Sequence, residues 1–334
     1  MKPNNILIIR FSSLLAIAVL FFSCKKLPDG FISPQIRYEE TPFLINRGRT
    51  STSSGLNFDG STIPARVELL HVYDANGNNV DDMFMKEYTI KGWTALYNPD
   101  TDTTVDQIAA KQADMQVPPI VINSSSGQVE ANFNTLSIPS GSYSYDLQIT
   151  NSAGTLTYPK IGQMEFLDPI YADQAESSPY DKLYQVGNEA VSSFAATPVV
   201  TIDRLADAPN IVVMKIVDKN GTPFNPKAGE IIQRPYPGLN PPQPYLQTLQ
   251  DYSLRPYQTF DDRFEFPYGT LPFPLISKGN GFNIYYRIPT QYFHADDQAN
   301  IPDDKWSLNP RFGFRAYVQG KYLITITLPD MTHR

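Results

Sequence analysis

The residues best placed to do chemistry in this chain are aromatic rings with polar neighbours. One set is Tyr285, Tyr286, Tyr292 and Trp306, with Arg287, Asp296 and Asp297 close by in sequence. A second, smaller set is Trp93 and Tyr97. A flat ring stacks on the apolar C–H face of a sugar, while carboxylates, amides and guanidinium groups bond its hydroxyls. The pattern points to glycan binding. The same rings can instead fill a core with their polar tips at its edge. Side chains alternate along a strand, so Tyr285 and Tyr286 point to opposite faces and at least one is expected inside.

Signals for catalysis are weak. His71, His294 and His333 lie far apart and lack metal-ligand spacing. Cys24 is the single cysteine, so no disulfide can form within the chain and no second thiol is available as a nucleophile. There is no G-x-S-x-G, no Gly-rich phosphate loop and no H-E-x-x-H. Asp74 and Asp218 each open an Asp-x-Asn-Gly stretch that lacks the later ligands of an EF-hand, and both read as turns. Adjacent acids occur at Asp81-Asp82, Asp261-Asp262, Asp296-Asp297 and Asp303-Asp304. A glycosidase needs two carboxylates about 5 to 10 Å apart across the scissile bond, which adjacency does not supply. The oxygen-rich run from His294 to Asp304 would suit calcium, but acids on loops are ordinarily just solvated. The expectation is a protein that is not an enzyme, with no cofactor and no metal.

These residues need a scaffold, and composition describes it. The 334 residues suffice for two domains with buried cores, at 41% hydrophobic and 18% charged. The 29 prolines avoid helix interiors and central strands, and the 20 tyrosines and 19 phenylalanines favour strands. Many short strands joined by stiff loops follow, giving an all-β protein of two β-sandwich domains. The net charge of −7 repels nucleic acid and anionic lipid, so neither is an expected partner.

The N-terminus reads as a leader. Met1–Arg10 carries Lys2 and Arg10 and no acid, then Phe11–Phe22 is almost wholly apolar, and Ser23-Cys24 follow. The apolar run is short for a membrane span. A basic region, a short apolar region and a small residue at the cleavage point make residues 1–23 a signal peptide. Cys24, placed where a lipoprotein signal needs it, would become the lipidated N-terminus. Residues 24–40 read as a tether, or as an edge strand near Phe31–Tyr38.

Residues 41–168 form the first sandwich, 169–178 a linker built on LDPIYADQAESSP, and 179–334 the second sandwich. Strands are expected at Arg66–Tyr73, Gln128–Phe133, Gly141–Asn151 and Leu156–Phe166, with one helix at Asp102–Gln112 capped by Thr101 or Asp102. In Gly141–Asn151 the core face is Tyr143, Tyr145, Leu147 and Ile149. The second part holds strands at Val199–Ile202, Asn210–Asp218, Phe282–Ile288, Arg311–Val318 and Lys321–Leu328. The last two, joined by Gln319-Gly320-Lys321, read as a hairpin. Arg234–Pro274, with five prolines in the ten residues from Pro235 to Pro244, reads as a stiff extended loop.

Four stretches carry three resemblances. FFSCKK is similar to the leaders of Bacteroidota lipoproteins, which tolerate Phe before the small residue. In that group acids just after the Cys accompany export to the cell surface. Here Lys25 and Lys26 follow, and the first acid is Asp29, which leaves open whether the protein faces the periplasm or the cell surface. IPSGSYSYDLQITNSAGT resembles the penultimate strand and following hairpin of an immunoglobulin-like or fibronectin-type sandwich, with a Tyr at the strand's entry. DGSTIPARVELLHVYDANGNNVDDMF (Asp59–Phe84) and GQVEANF (Gly127–Phe133) resemble a family of Bacteroidota lipoproteins. Members of that family are two-part β proteins that often accompany outer-membrane glycan-uptake systems. The resemblance implies a lipid-anchored outer-membrane protein that binds glycan or docks to an outer-membrane protein partner in an uptake complex. It brings no catalytic motif. The alternative is a structural or adhesion protein whose aromatic loops contact another protein.

Overall fold

A computed structural model describes residues 30–175, 177–236, 245–296, 302 and 304–334. The leader, Cys24 and Asp297 lie outside the described residues, as does the proline-dense stretch 237–244. Nearly every regular element is a strand.

The N-terminal part contains β1 (Arg37–Tyr38), β2 (Phe43–Asn46), β3 (Ser51–Thr52), β4 (Leu56–Asn57) and β5 (Arg66–Tyr73). There follow α1 (Asp81–Phe84), β6 (Tyr88–Trp93), α2 (Val105–Ala109), β7 (Gln112–Val117), β8 (Ile120–Ile122) and β9 (Val129–Ala131). β10 (Gly141–Asn151) and β11 (Gly154–Leu167) complete it. A four-stranded sheet in the order β2-β11-β10-β5 packs with a three-stranded sheet β3-β9-β8 around one core. β2 runs parallel to β11, while β10 is antiparallel to both neighbours. This is an immunoglobulin-like sandwich. Tyr143, Tyr145, Leu147 and Ile149 all point into the core, as alternation requires. Both neighbouring strands bulge opposite Asp146, which is buried too, and its carboxylate accepts the Tyr73 hydroxyl at 3.0 Å and the Lys160 amide at 2.6 Å. The Tyr143 hydroxyl donates to the Pro139 carbonyl at 3.1 Å, closing the corner that leads into β10.

The C-terminal part contains β12 (Ala172–Asp173), β13 (Tyr180–Gln185), β14 (Asn188–Phe194), β15 (Val199–Ala206), β16 (Ile211–Val217), β17 (Ile232–Gln233) and β18 (Gln258–Thr259). It continues with β19 (Phe264–Pro267), β20 (Asn283–Arg287), β21 (Phe293–Ala295), β22 (Trp306–Gly313), β23 (Arg315–Ala316), β24 (Lys321–Thr327) and β25 (Met331–His333). Two five-stranded sheets, β14-β13-β22-β20-β17 and β15-β24-β16-β19-β18, enclose a second core rich in Phe and Tyr. The two cores share no residue.

Three sequence expectations change. First, Phe312–Val318 and Tyr322–Leu328 do not form a hairpin. β22 pairs with β13 and β20 in one sheet, whereas β24 pairs with β15 and β16 in the other. Phe312 and Ile324 are buried in the same core from opposing sheets instead of along one ladder. The chain leaves the first sheet after Gly313, where the Gln174 carbonyl and Ser177 crowd the backbone.

Second, the helix shrinks to Val105–Ala109. Thr104 caps it, accepting the Gln107 amide while the Gln107 side chain returns to the Thr104 amide, a reciprocal capping box. Val105 is exposed and Ile108 buried, and Gln112 already pairs with Trp93 in β7. Only one apolar side chain holds this turn of helix down, which is too little to extend it.

Third, Arg234–Pro274 is not all loop. Phe264–Pro267 is an inner strand paired with Ile211–Met214, made possible because Phe260–Phe266 contains no proline.

Both Asp-x-Asn-Gly stretches are the same turn. Asp74 accepts the amides of Asn76 and Asn78 at 2.9 and 2.8 Å, and Asp218 accepts those of Asn220 and Thr222 at 2.8 Å each. Gly77 and Gly221 sit at φ of +82° and +85°, where a side chain would be strained.

Candidate functional site: an aromatic arm seated on the second sandwich

The larger set of candidate residues does not converge. Tyr286 is wholly buried, its hydroxyl donating to Gln250 Oε1 at 2.6 Å and accepting the Leu249 amide. Tyr285 is also buried, although it faces the other way, and its hydroxyl accepts the Asn280 side-chain amide. Neither ring is open to a ligand, since both faces of this strand are covered. Tyr292 and Trp306 are half-buried and pack on the second core. Arg287 is bound to Glu189 at 2.7 Å and to Asn309 Oδ1 at 2.8 Å. Asp296 bonds Lys219 at 2.8 Å and Thr332 at 2.7 Å. Burial alone would raise the Asp296 carboxyl, but Lys219, Thr332 and the His294 charge hold it below the usual carboxylate range. These groups are committed to the fold.

One acid in each of two other pairs is likewise engaged. Asp81 accepts His71 Nδ1 at 2.8 Å and the Val72 amide at 2.7 Å, and Asp262 joins Lys215 and Arg263. Among the described residues no group of three or more His, Cys, Asp or Glu is placed to hold a metal ion. None of their helices is long and apolar enough to cross a membrane.

The smaller set does converge. β6 and β7 form an isolated two-stranded ribbon that projects from the first sandwich. Trp93 ends β6, and its ring lies 5.5 Å from that of Tyr97 at a tilt of 54°. Trp93 and its neighbour Leu96 remain open to solvent, Leu96 at 92% exposure. Burial pushes the Tyr97 hydroxyl up to about 12, and the negative charges of Asp102 and Asp100 add to the rise.

The loop beyond Tyr97 is built rather than loose. Asp102 accepts the Asn98 amide at 2.7 Å and Lys111 Nζ at 2.7 Å, and Lys111 also donates to the Leu96 carbonyl at 2.9 Å. Burial alone would raise Asp102, but Lys111 and the Asn98 amide hold it ionised. The far side of the loop sits on the second sandwich. Lys278 Nζ pairs with Asp100, the Arg255 amide donates to the Thr103 carbonyl at 2.8 Å, and Ile108 closes over Gly269. Tyr252 accepts the Lys278 amide beneath them at 3.2 Å.

The result is an apolar surface in which Trp93 and Leu96 are open to solvent beside the half-buried Tyr97, with a carboxylate and two amines near it. Its backing is fixed from both sandwiches, which limits the ordering cost of binding. The sequence analysis named Trp93 and Tyr97 and did not name Asp100, Lys111 and Lys278, which the structure places near them. The turn-forming run Asn98-Pro-Asp-Thr-Asp marks Asp100, but no local signal links it to a lysine 178 residues away.

No family model matches the chain, and no curated protein matches it. Among solved structures, one similar chain is a SusE-like surface-located polysaccharide-binding protein from the Bacteroides thetaiotaomicron heparin utilisation locus. It is 8% identical with a TM-score of 0.26, over 87% of this chain and 53% of that one. Another is the N-terminal four-immunoglobulin-domain region of Dscam1 isoform 4.4, at 9% identity and a TM-score of 0.18, over 89% of this chain and 52% of that one. The chain spans about half the length of the structures it matches.

Proposed function

We propose that this chain is a lipid-anchored, non-catalytic protein of the outer membrane whose body holds a glycan. The carrying observation is the Trp93–Tyr97 pair, rings 5.5 Å apart on a projecting ribbon, with Asp100, Lys111 and Lys278 around it. The rings supply stacking surface for the C–H face of a sugar, and the edge groups supply acceptors and donors for hydroxyls. The leader ending at Ser23-Cys24 supports the anchor, and the structural bonds of Asp81 and Asp262 support a binding role. A glycan array probed with the body, residues 27–334, tests the reading. Binding that is lost in Trp93→Ala, without release of sugar, supports it; sugar release abolished by changing one acid, or no glycan bound at all, overturns it.

A second reading is a protein-contact module. It is favoured by β14, an edge strand with Val191 and Phe194 exposed beside Val186 in the preceding turn. An unpaired edge of that kind accepts a strand from another protein. Co-purification of an outer-membrane protein that is lost in Val191→Lys would favour it.

A further inference from the structure

A cleft of about 780 Å³ lies between the two sandwiches, and it contains none of the candidate site residues discussed above. That volume is typical of small-ligand sites, which run from about 300 to 1,000 Å³. Its floor is the connecting segment Asp168–Tyr171, one wall comes from the first sandwich through Phe133, and the other from the second through Leu271 and Arg204.

Apolar groups in the cleft are left open although a core lies on either side. Phe133 is 46% exposed, Tyr171 38% and Leu271 40%. Tyr171 is nevertheless held firmly. Its carbonyl accepts the Tyr317 amide at 2.8 Å and the Tyr322 hydroxyl at 3.3 Å, and the Arg204 guanidinium lies 4.5 Å over its ring. The walls are clamped together nearby. Arg49 of the first sandwich bonds Asp173 at 2.7 Å and stacks 3.6 Å over Tyr317. The cleft is therefore preformed and open, with aromatic surface that folding did not consume.

Its charges select among ligands. Both arginines are already occupied. Arg204 donates from Nε and Nη2 to the Gln319 carbonyl at 3.3 and 2.8 Å and pairs through Nη1 with Asp207 at 2.7 Å. Arg47 donates to Ser140 Oγ at 3.0 Å and to the Leu136 carbonyl at 2.9 Å. Solvent-facing Asp168, Asp207 and Gln319 add acceptor oxygens at the rim. Acceptors suit hydroxyl donors, and with two arginines and two carboxylates the lining has no net charge to attract an anionic chain.

We propose that this inter-sandwich cleft is a second binding site, for a neutral oligosaccharide, in which Phe133 and Tyr171 stack on sugar rings and Asp168 and Asp207 accept hydroxyls. It shares with the function proposed above the premise that the ligand is a glycan, and it rests on separate residues.

Calorimetric titration of the detergent-solubilised full chain tests it, using cellohexaose, maltohexaose, mannohexaose and xylohexaose, with oligogalacturonate as the anionic probe. Phe133→Ala and Tyr171→Ala should each weaken binding of a neutral probe about tenfold, the loss of one ring at the centre of a contact. Phe133 is exposed on a short turn, so its variant keeps the test valid if Tyr171→Ala disturbs the fold. Binding abolished by Trp93→Ala but unchanged in both cleft variants overturns the cleft and leaves the aromatic arm standing. Loss in the cleft variants alone supports the cleft and removes the arm. Oligogalacturonate binding more tightly than every neutral probe overturns the ligand class, and no binding to any probe overturns both sites.

Discussion

The Arg49 guanidinium lies 3.6 Å above the ring of Tyr317, joining the first sandwich to the second. Asp173 completes the contact, accepting Arg49 Nη2 at 2.7 Å and the Tyr317 hydroxyl at 3.1 Å. A planar guanidinium can stack and fork at once, which an ammonium cannot. Arg49→Ala should lower stability by about 1–2 kcal/mol, the scale of a partly desolvated cation–π contact, and Arg49→Lys should recover little of it. Limited proteolysis should then cut faster between Asp168 and Ser178, where we place the boundary between the two domains. An unchanged cleavage rate in Arg49→Ala would show that this contact does not hold the junction.

Gly162 faces Tyr145 across the β10–β11 ladder, and the ring lies directly over it, so a Cβ at position 162 would collide with the phenol. Tyr145 is fully buried in a packed core and has nowhere to retreat. Gly162→Ala should cost about 1–3 kcal/mol, as overpacking does. Urea unfolding followed by tyrosine fluorescence would measure it, and a midpoint equal to that of the wild type would contradict the packing argument.

Asp181 on β13 is buried in the second sandwich, and its Oδ1 has no hydrogen-bond partner among the described residues. Burial pushes its carboxyl up to about 8, the Asp330 charge adds to this, and the amides of Asn309 and Lys182 oppose it. The folded state thus holds the proton more tightly than the unfolded chain, where the group titrates near 3.8. Its stabilising contribution is complete below pH about 4 and is lost as pH rises towards about 8. Asp181→Asn should flatten this slope and raise the melting temperature more at pH 8.5 than at pH 4.5. Each pKa unit corresponds to about 1.36 kcal/mol, so the gain at high pH should reach a few kcal/mol. Thermal melts across that range with parallel profiles for the two proteins would refute the assignment.

Cys24 should carry the lipid, with residues 1–23 absent from the mature chain. Metabolic labelling with a palmitate analogue should mark the wild type and leave Cys24→Ala unlabelled and released from the membrane fraction. Equal label in both would remove the anchor from the proposed function.

Local patterning fixes what is local. Alternation along Gly141–Asn151 placed Tyr143, Tyr145, Leu147 and Ile149 on one face, because a strand's period of two needs no knowledge of its partner. Asp74 and Asp218 declared their turns because Asp, Asn and Gly act on the backbone within four residues. Trp93 and Tyr97 were legible as a pair for the same reason of short range. Partner choice was not legible. Lys321–Thr327 looks the same whether it pairs with the preceding strand or with Val199–Ala206 and Ile211–Val217, and burial of Phe312 and Ile324 from opposing sheets decided for the latter. Burial of Tyr286 likewise depends on a distant segment, where the Leu249 amide and the Gln250 side chain bond its hydroxyl. The cleft at Tyr171 and the seating of Asp100 on Lys278 each join residues from both sandwiches, so only the tertiary structure brings their chemistry together.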